Sequence, residues 1–276
     1  MNEDLRFGGV QRLFGAAGLA RLQRAHVCVI GLGGVGSWSV EALARSGVGN
    51  LTLVDLDDIC VSNVNRQLHA VEGEFGRPKV DAMARRVQAI HPGCVVKPVH
   101  AFFTASMAAE LLSTPCDYVL DAIDNPANKA LLIARCRQKN APIIVAGAAG
   151  GRQTAASLRI TDLAFATHDG LLREVRSRLR KEHGFPRDEK AFGVDCVFST
   201  ETPVFPHADG TVCEQRELAP RVEGASLRVD CASGYGTASF VTGAFGLAAA
   251  GHIVRQLAGG PLGSNPRSRA KSPRTA

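Results

Sequence analysis

Four glycines within six residues, Gly31, Gly33, Gly34 and Gly36, separate an apolar run from a helix-like one. HVCVIG (26–31) is short, rich in β-branched residues and stopped by glycine, which reads as a buried strand. SWSVEALARSG (37–47) reads as a helix that Gly47 ends. Glycine lets the backbone approach a phosphate closely, and the first turn of the helix supplies unpaired N–H groups and a positive dipole end. Asp55 closes the next apolar run, LTLVD (51–55), where a carboxylate can hold ribose hydroxyls. These features point to a nucleotide without separating ATP from NAD. The plain alternative is a tight turn with no ligand.

The alternation of strand and helix continues. Residues 10–25 look helical, with Leu13, Ala17 and Leu22 roughly along one side. A helix starts near Lys79, VVKPVHA (95–101) is strand-like, DYVLDAID (117–124) is a strong buried strand, 127–139 is helical and PIIVAG (142–147) is a strand. Such a pattern predicts a Rossmann-like α/β fold, a mainly parallel sheet with helices on both faces. Ligands of such sheets sit outside the carboxyl ends of the strands. After about residue 150 the regularity fades into a smaller α+β extension. It holds SLRITDL as a strand, a helix over 171–184 with a basic face, a polar linker over 184–192, a strand VDCVFSTE (194–201), a loop-rich 205–225 and an apolar stretch over 235–257. The expected division is a nucleotide-binding core at 26–150, an extension at 151–257 and a basic, disordered tail at 258–276.

At 276 residues the chain can bury a sizeable core without disulfides or a structural metal. Four of its net +6 charges sit at Arg267, Arg269, Lys271 and Arg274 in a tail stretch free of acids. A basic balance suits an anionic partner such as nucleic acid and equally a solvated surface. None of the eight cysteines forms a CxxC pair, which argues against tetrahedral zinc. Cys28 lies in a strand-like run, and the N-terminal MNEDLRFGG has no apolar signal core, so reduced cytoplasmic thiols are expected. The Gly- and Ala-rich 235–257 segment reads as a buried packing helix, with peripheral membrane association as the alternative.

Three further motifs carry chemistry. Ser62-Asn63-Val64-Asn65-Arg66-Gln67 follows the acidic Asp55, Asp57 and Asp58, and has no use in a redox dinucleotide domain. Asn amides and an Arg fork suit phosphate oxygens. Gly76-Arg77-Pro78-Lys79 puts a lysine at a helix start, where the dipole disfavours it unless an anion is near. In Asp121-Ala122-Ile123-Asp124-Asn125, at the carboxyl end of a strand, Asp124 can hold Mg²⁺ or merely cap the next helix.

In this order and spacing, GLGGVGS, SNVNRQ, the helix-leading Lys79 and DAIDN resemble the ThiF/MoeB group of the ubiquitin-activating-enzyme superfamily over roughly residues 6–150. The resemblance implies nucleotide phosphates over Gly31, Gly33, Gly34 and Gly36, and ribose at Asp55. It implies a triphosphate handled by Asn63, Arg66 and Lys79, and Mg²⁺ at Asp124 beside Asn125. RFGGVQRLFG (6–15), GVDCVFSTE (193–201) and VDCASGYG (229–236) look like the tRNA threonylcarbamoyladenosine dehydratase branch, and carry the likeness to about residue 257. Sulfur-carrier-activating members have paired zinc cysteines that are missing here, and a second arginine where Gly9 stands. Arg6 and Arg12 are the arginines available, and Arg12 is assigned to the triphosphate, from its own chain or across a dimer.

The branch implies ATP with Mg²⁺ and no zinc, a homodimer, tRNA and no DNA, and a sulfur-acceptor partner of the cysteine desulfurase system. A structural monovalent cation in the 193–236 region would also fit. The implied reaction adenylates the threonine carboxylate of a modified tRNA adenosine and closes it to a cyclic hydantoin. It requires no enzyme thiol, although Cys231 is available as a nucleophile. Arg173, Arg176, Arg180 and Lys181 are candidate RNA contacts. The rival readings are an activator of a sulfur-carrier protein, an NAD-dependent oxidoreductase and a non-catalytic binding module.

Overall fold

The structure, a computed structural model, describes residues 3–188, 190–207, 209–214 and 235–259. Cys231, nearly all of VDCASGYG and the tail from 260 lie outside the described residues. Strands β1 (His26–Ile30), β2 (Asn50–Asp55), β3 (Val95–His100), β4 (Tyr118–Asp121), β5 (Ile143–Ala146), β6 (Leu158–Asp162) and β7 (Asp195–Ser199) form one sheet, in the order β3-β2-β1-β4-β5-β7-β6. Every pairing is parallel except that of β6 with β7. The sheet therefore runs on from the core into the extension. β3 carries Pro98 and lies at an edge, where a missing N–H leaves no gap in a ladder. A small hairpin pairs β8 (Phe205–Pro206) with β9 (Val212–Cys213).

Eight helices complete the described fold: α1 (Glu3–Arg6), α2 (Gly8–Arg24), α3 (Gly36–Arg45), α4 (Lys79–Ile90), α5 (Ala105–Leu111), α6 (Pro126–Gln138), α7 (Gly170–Glu182) and α8 (Ser239–Ala258). Strand side chains alternate between two cores. Val27, Val29, Leu53 and Leu120 pack with Val40 and Leu43 of α3, Met83 of α4 and Phe245 of α8. Cys28, Ile30, Val119 and Val145 pack with Leu132 and Ile133 of α6 and Val175 of α7. With both faces covered, the central strands must be apolar throughout, which is why their sequences do not alternate.

Several elements depart from expectation. The run 117–124 leaves the sheet at Asp121, whose carboxylate turns back to accept the Ile123 N–H at 2.9 Å and steers the chain out of the ladder. In α2, Gly15 has φ +75° and kinks the helix. The kink takes Leu13 off the buried side (78% exposed), which is formed by Gly18, Leu19 and Leu22. The polar linker hides two buried rings: Phe185 and Phe192 meet edge to face at 5.1 Å. Arg137 lies 4.3 Å over the first ring and Arg180 5.2 Å over the second.

The apolar 235–257 segment contributes α8, which packs against α3 almost backbone to backbone. The Ser39 hydroxyl donates to the Gly246 carbonyl at 3.1 Å. A Cβ on Gly246 would lie 2.5 Å from the Val35 carbonyl oxygen. No described helix is long and apolar enough to cross a membrane. Gly246→Ala should therefore destabilise the protein by about 1–3 kcal/mol despite alanine's better helix propensity, because backbone atoms must move to admit the methyl. Urea unfolding measures this, and an unchanged midpoint would contradict the close packing.

Candidate functional site

The chain runs from β1 outward to β2 and β3, then crosses to β4 on the other side of β1. That reversal opens a crevice at the carboxyl ends of β1 and β4, the place where doubly wound sheets hold ligands. The glycine turn forms one wall. Gly31 has φ +90°, and a Cβ there would lie 2.8 Å from the Ala122 carbonyl oxygen of the opposite wall. A Cβ on Gly36 would fall 1.8 Å from the Gly31 carbonyl oxygen. Gly31 and Gly36 thus close the turn. A Cβ on Gly34 would lie 3.1 Å from the Thr242 methyl, and Gly33 is the most open of the four.

Asp55 is buried at the end of β2. One carboxylate oxygen accepts the Leu32 N–H of the turn at 2.6 Å, and the other accepts the Asp57 N–H at 2.9 Å. Burial pushes its pKa up, against the pull of Lys79 and these N–H groups. Asp55 therefore braces the turn before any ribose arrives. Asn63 is also buried, and its Oδ1 accepts the Cys60 N–H at 3.0 Å, holding the loop that presents Arg66. The Arg66 guanidinium folds onto this loop, donating from Nη1 to the Ser62 carbonyl at 2.8 Å and to Asn65 Oδ1 at 3.0 Å. The Arg66 carbonyl accepts from Trp38 Nε1 at 3.0 Å and from the Thr242 hydroxyl at 3.2 Å, so α3 and α8 both pin the loop. The Lys79 side chain is only 6% exposed, and its Nζ donates to Asp57 Oδ2 at 2.7 Å. That leaves two ammonium protons for an anion.

Across the crevice, Asp121 and Lys129 form a fully buried ion pair at 2.9 Å. Burial pushes the Asp121 pKa up, and Lys129 pulls it back. Asp124, three residues on, is exposed and makes no hydrogen bond or ion pair among the described residues. The cap of α6 is Asn125, whose Oδ1 accepts the Ala127 and Asn128 N–H groups at 3.0 Å. The capping role considered for Asp124 thus belongs to its neighbour, which leaves the Asp124 carboxylate available and half commits Asn125. Mg²⁺ bound with substrate phosphates needs only one or two protein carboxylates, so Asp124 fits that requirement.

The model of the ThiF family matches residues 9–271. The chain belongs to the ThiF family. It is 46% identical over 253 residues to tRNA threonylcarbamoyladenosine dehydratase of Escherichia coli (strain K12), spanning 91% of this chain and 93% of the relative. It is 35% identical over 252 residues to the protein of that description from Bacillus subtilis (strain 168), spanning 91% and 94%. A solved structure described as TcdA (CsdL) superposes with a TM-score of 0.84 at 42% identity, covering 92% of this chain and 94% of the other. The E. coli dehydratase in complex with ATP gives 0.81 at 40%, with the same coverage.

In this ThiF-family chain the four glycines follow β1, Asp55 ends β2, Asn63 and Arg66 lie on the loop after β2, Lys79 begins α4, and Asp124 and Asn125 follow β4. Arg12 is not among them. It is exposed on α2, with its guanidinium beside Gly8 and Gly9, and nothing in the described residues joins it to the crevice. Arg6 is exposed as well and donates from Nη1 to the Ile90 carbonyl. On α7, Arg176 donates to the Leu163 carbonyl at 3.5 Å and Arg180 to the Pro186 carbonyl at 3.1 Å. Only Arg173 and Lys181 of the four candidate RNA contacts are exposed. Cys196 is buried and its pKa is pushed up to about 12, first by burial, so it stays a thiol and packs.

The sequence singled out neither Lys129, Thr242 nor His69, and it gave Gln67 a place in a motif without a role. A lysine directly before the apolar ALLIA run (130–134) was the available hint for Lys129. Lys129→Met should cost about 3–5 kcal/mol by stranding the Asp121 carboxylate. Without Lys129 the folded Asp121 pKa rises further above its unfolded value, so the cost is full at high pH and shrinks as falling pH protonates the carboxyl. Urea unfolding across the acidic range tests this, and a pH-independent difference from the parent would contradict it.

Proposed function

We propose that this protein catalyses the ATP-dependent dehydration of threonylcarbamoyladenosine next to the anticodon of tRNA, giving the cyclic hydantoin. Likeness to the E. coli dehydratase over 91% of the chain carries the reading. A glycine turn after β1 and, after β4, a carboxylate with no partner among the described residues support it. The threonine carboxylate is a poor electrophile. Its attack on the α-phosphate of ATP forms an acyl-adenylate and releases pyrophosphate. The carbamoyl nitrogen then closes on the activated carbonyl, loses its proton and expels AMP, so the modified nucleoside loses one water overall. Ring closure gains its rate from proximity, since nucleophile and electrophile belong to one side chain.

The residues divide the work. Asp55 would accept from ribose hydroxyls, and the N–H groups of the turn would face the phosphates. Lys79 and Arg66 would offset charge building on the leaving pyrophosphate. Asp124 would hold Mg²⁺, which steadies that leaving group. Asn63 acts by holding the loop in place. Arg12, exposed on α2 and without an ion pair among the described residues, suits delivery to a partner's triphosphate in a homodimer.

Mass spectrometry of nucleosides from tRNA incubated with protein, ATP and Mg²⁺ should show loss of one water from the threonylcarbamoyl nucleoside. Asp124→Asn should lower the rate by about a hundredfold or more at unchanged stability. Mixed after co-refolding, inactive Arg12→Ala and Asp124→Asn chains should recover about a quarter of parent activity, since half the dimers then hold one intact site. No recovery would place Arg12 in its own chain's site or outside catalysis. An intact nucleoside, with NAD bound more tightly than ATP, would replace the whole reading by an oxidoreductase.

A further inference from the structure

Gln67 and His69 lie deep in the crevice wall, at 7% and 4% exposure. We infer that Gln67 is a further phosphate-contacting residue of the nucleotide site, and that His69 is the positioning residue that turns the Gln67 amide toward the glycine turn. The inference rests on the nucleotide reading above and extends it to two residues that have no role in it.

Geometry carries the first half. The loop is fastened to the turn from both sides: the Ser37 hydroxyl donates to the Gly33 carbonyl at 2.7 Å and accepts the Leu68 N–H at 3.3 Å. The Gln67 N–H donates to the Asn63 carbonyl at 2.8 Å, which fixes where its side chain starts. Gln67 Nε2 is the nearest atom to the place a Gly33 Cβ would occupy, at 4.0 Å. That amide nitrogen makes no hydrogen bond among the described residues, while its partner oxygen is used. A side chain so enclosed, with two N–H donors beside the most open glycine of the turn, is placed to meet an anion's oxygens.

His69 accounts for the orientation. Its Nε2 lies 3.1 Å from Gln67 Oε1, and its buried Nδ1 has no partner among the described residues. The amide oxygen can only accept, so Nε2 must carry the proton and Nδ1 the lone pair. Donation to Oε1 directs the amide NH₂ away from His69 and toward Gly33. Burial, with the nearby Lys79 charge, lowers the His69 pKa to about 4, which keeps the ring neutral, with a proton on one nitrogen only. An unsatisfied buried nitrogen is costly. An apolar side chain would fill the space without that cost, and only the donor at Nε2 explains a histidine here.

Titration calorimetry of the full chain with Mg-ATP, and separately with adenosine, tests both halves. Gln67→Leu should weaken ATP binding by about tenfold or more and leave adenosine within about twofold. Gln67→Glu, which sets an acceptor against phosphate, should be worse. His69→Leu should weaken ATP in the same direction. His69→Gln, which keeps a donor at similar reach, should restore it. The double variant Gln67→Leu with His69→Leu should bind no more weakly than Gln67→Leu alone, as expected of one coupled unit. With a parent that binds ATP, unchanged affinity in Gln67→Leu overturns the phosphate contact. Effects that multiply in the double variant, or a His69→Gln chain as weak as His69→Leu, overturn the positioning role. A parent that binds no ATP overturns the nucleotide reading itself.

Discussion

The backbone contact between Gly36 and Gly31 governs the carboxyl edge of the sheet. A single methyl at Gly36 would fall inside the Gly31 carbonyl oxygen, so β1 and α3 can meet only through glycine. That contact fixes the angle at which α3 leaves the strand. With it goes the position of the helix N-terminus, where any anion must sit. The second wall depends on the same turn, because a Cβ on Gly31 would lie 2.8 Å from the Ala122 carbonyl oxygen on the β4 side. Asp55 then ties the turn to β2 through the Leu32 N–H, so three strand ends are locked to one backbone loop.

Around that turn the polar residues fall into two kinds. Asp55, Asn63, Asn125 and the Asp121–Lys129 pair spend most of their hydrogen-bonding capacity on the protein itself. They hold loops whose backbone has no sheet or helix to satisfy it. Asp124 and the Gln67 amide nitrogen keep theirs, and Lys79 keeps part. A site that must accept a highly charged molecule and release its product needs both: a braced frame, and a few groups left for the ligand.

The C-terminal helix belongs to this frame although it lies far away in sequence. Thr242 touches Gly34 and donates to the Arg66 carbonyl, and Asn65 Nδ2 donates to the Thr237 carbonyl at 2.8 Å. Removing the segment from 235 onward would free the loop carrying Arg66 as well as uncover α3. Much of the apolar character of α8 goes with burial against α3, α2, β5 and β7, while Phe240 and Leu247 stay exposed.

The glycine pattern, the alternation of apolar runs and the acids ending β2 and β4 were legible because each is local. A strand stop, a glycine turn or a strand-end carboxylate is set by residues a few positions apart, and twenty-odd residues of βαβ spacing then fix the parallel sheet. Family membership followed from the joint order of those motifs. The helix kink at Gly15 and the two buried rings at 185 and 192 were not legible, since each depends on what packs from elsewhere. The same holds for the capping of α6. Composition allows either Asp124 or Asn125 to cap, and only the turn that Asp121 makes after leaving the ladder selects the second and leaves the first without a partner among the described residues. Pairings such as Lys129 with Asp121, or His69 with Gln67, were likewise decided by tertiary structure. A buried polar group takes whichever partner the fold brings within 3 Å or so, and the sequence lists donors and acceptors without saying which will meet.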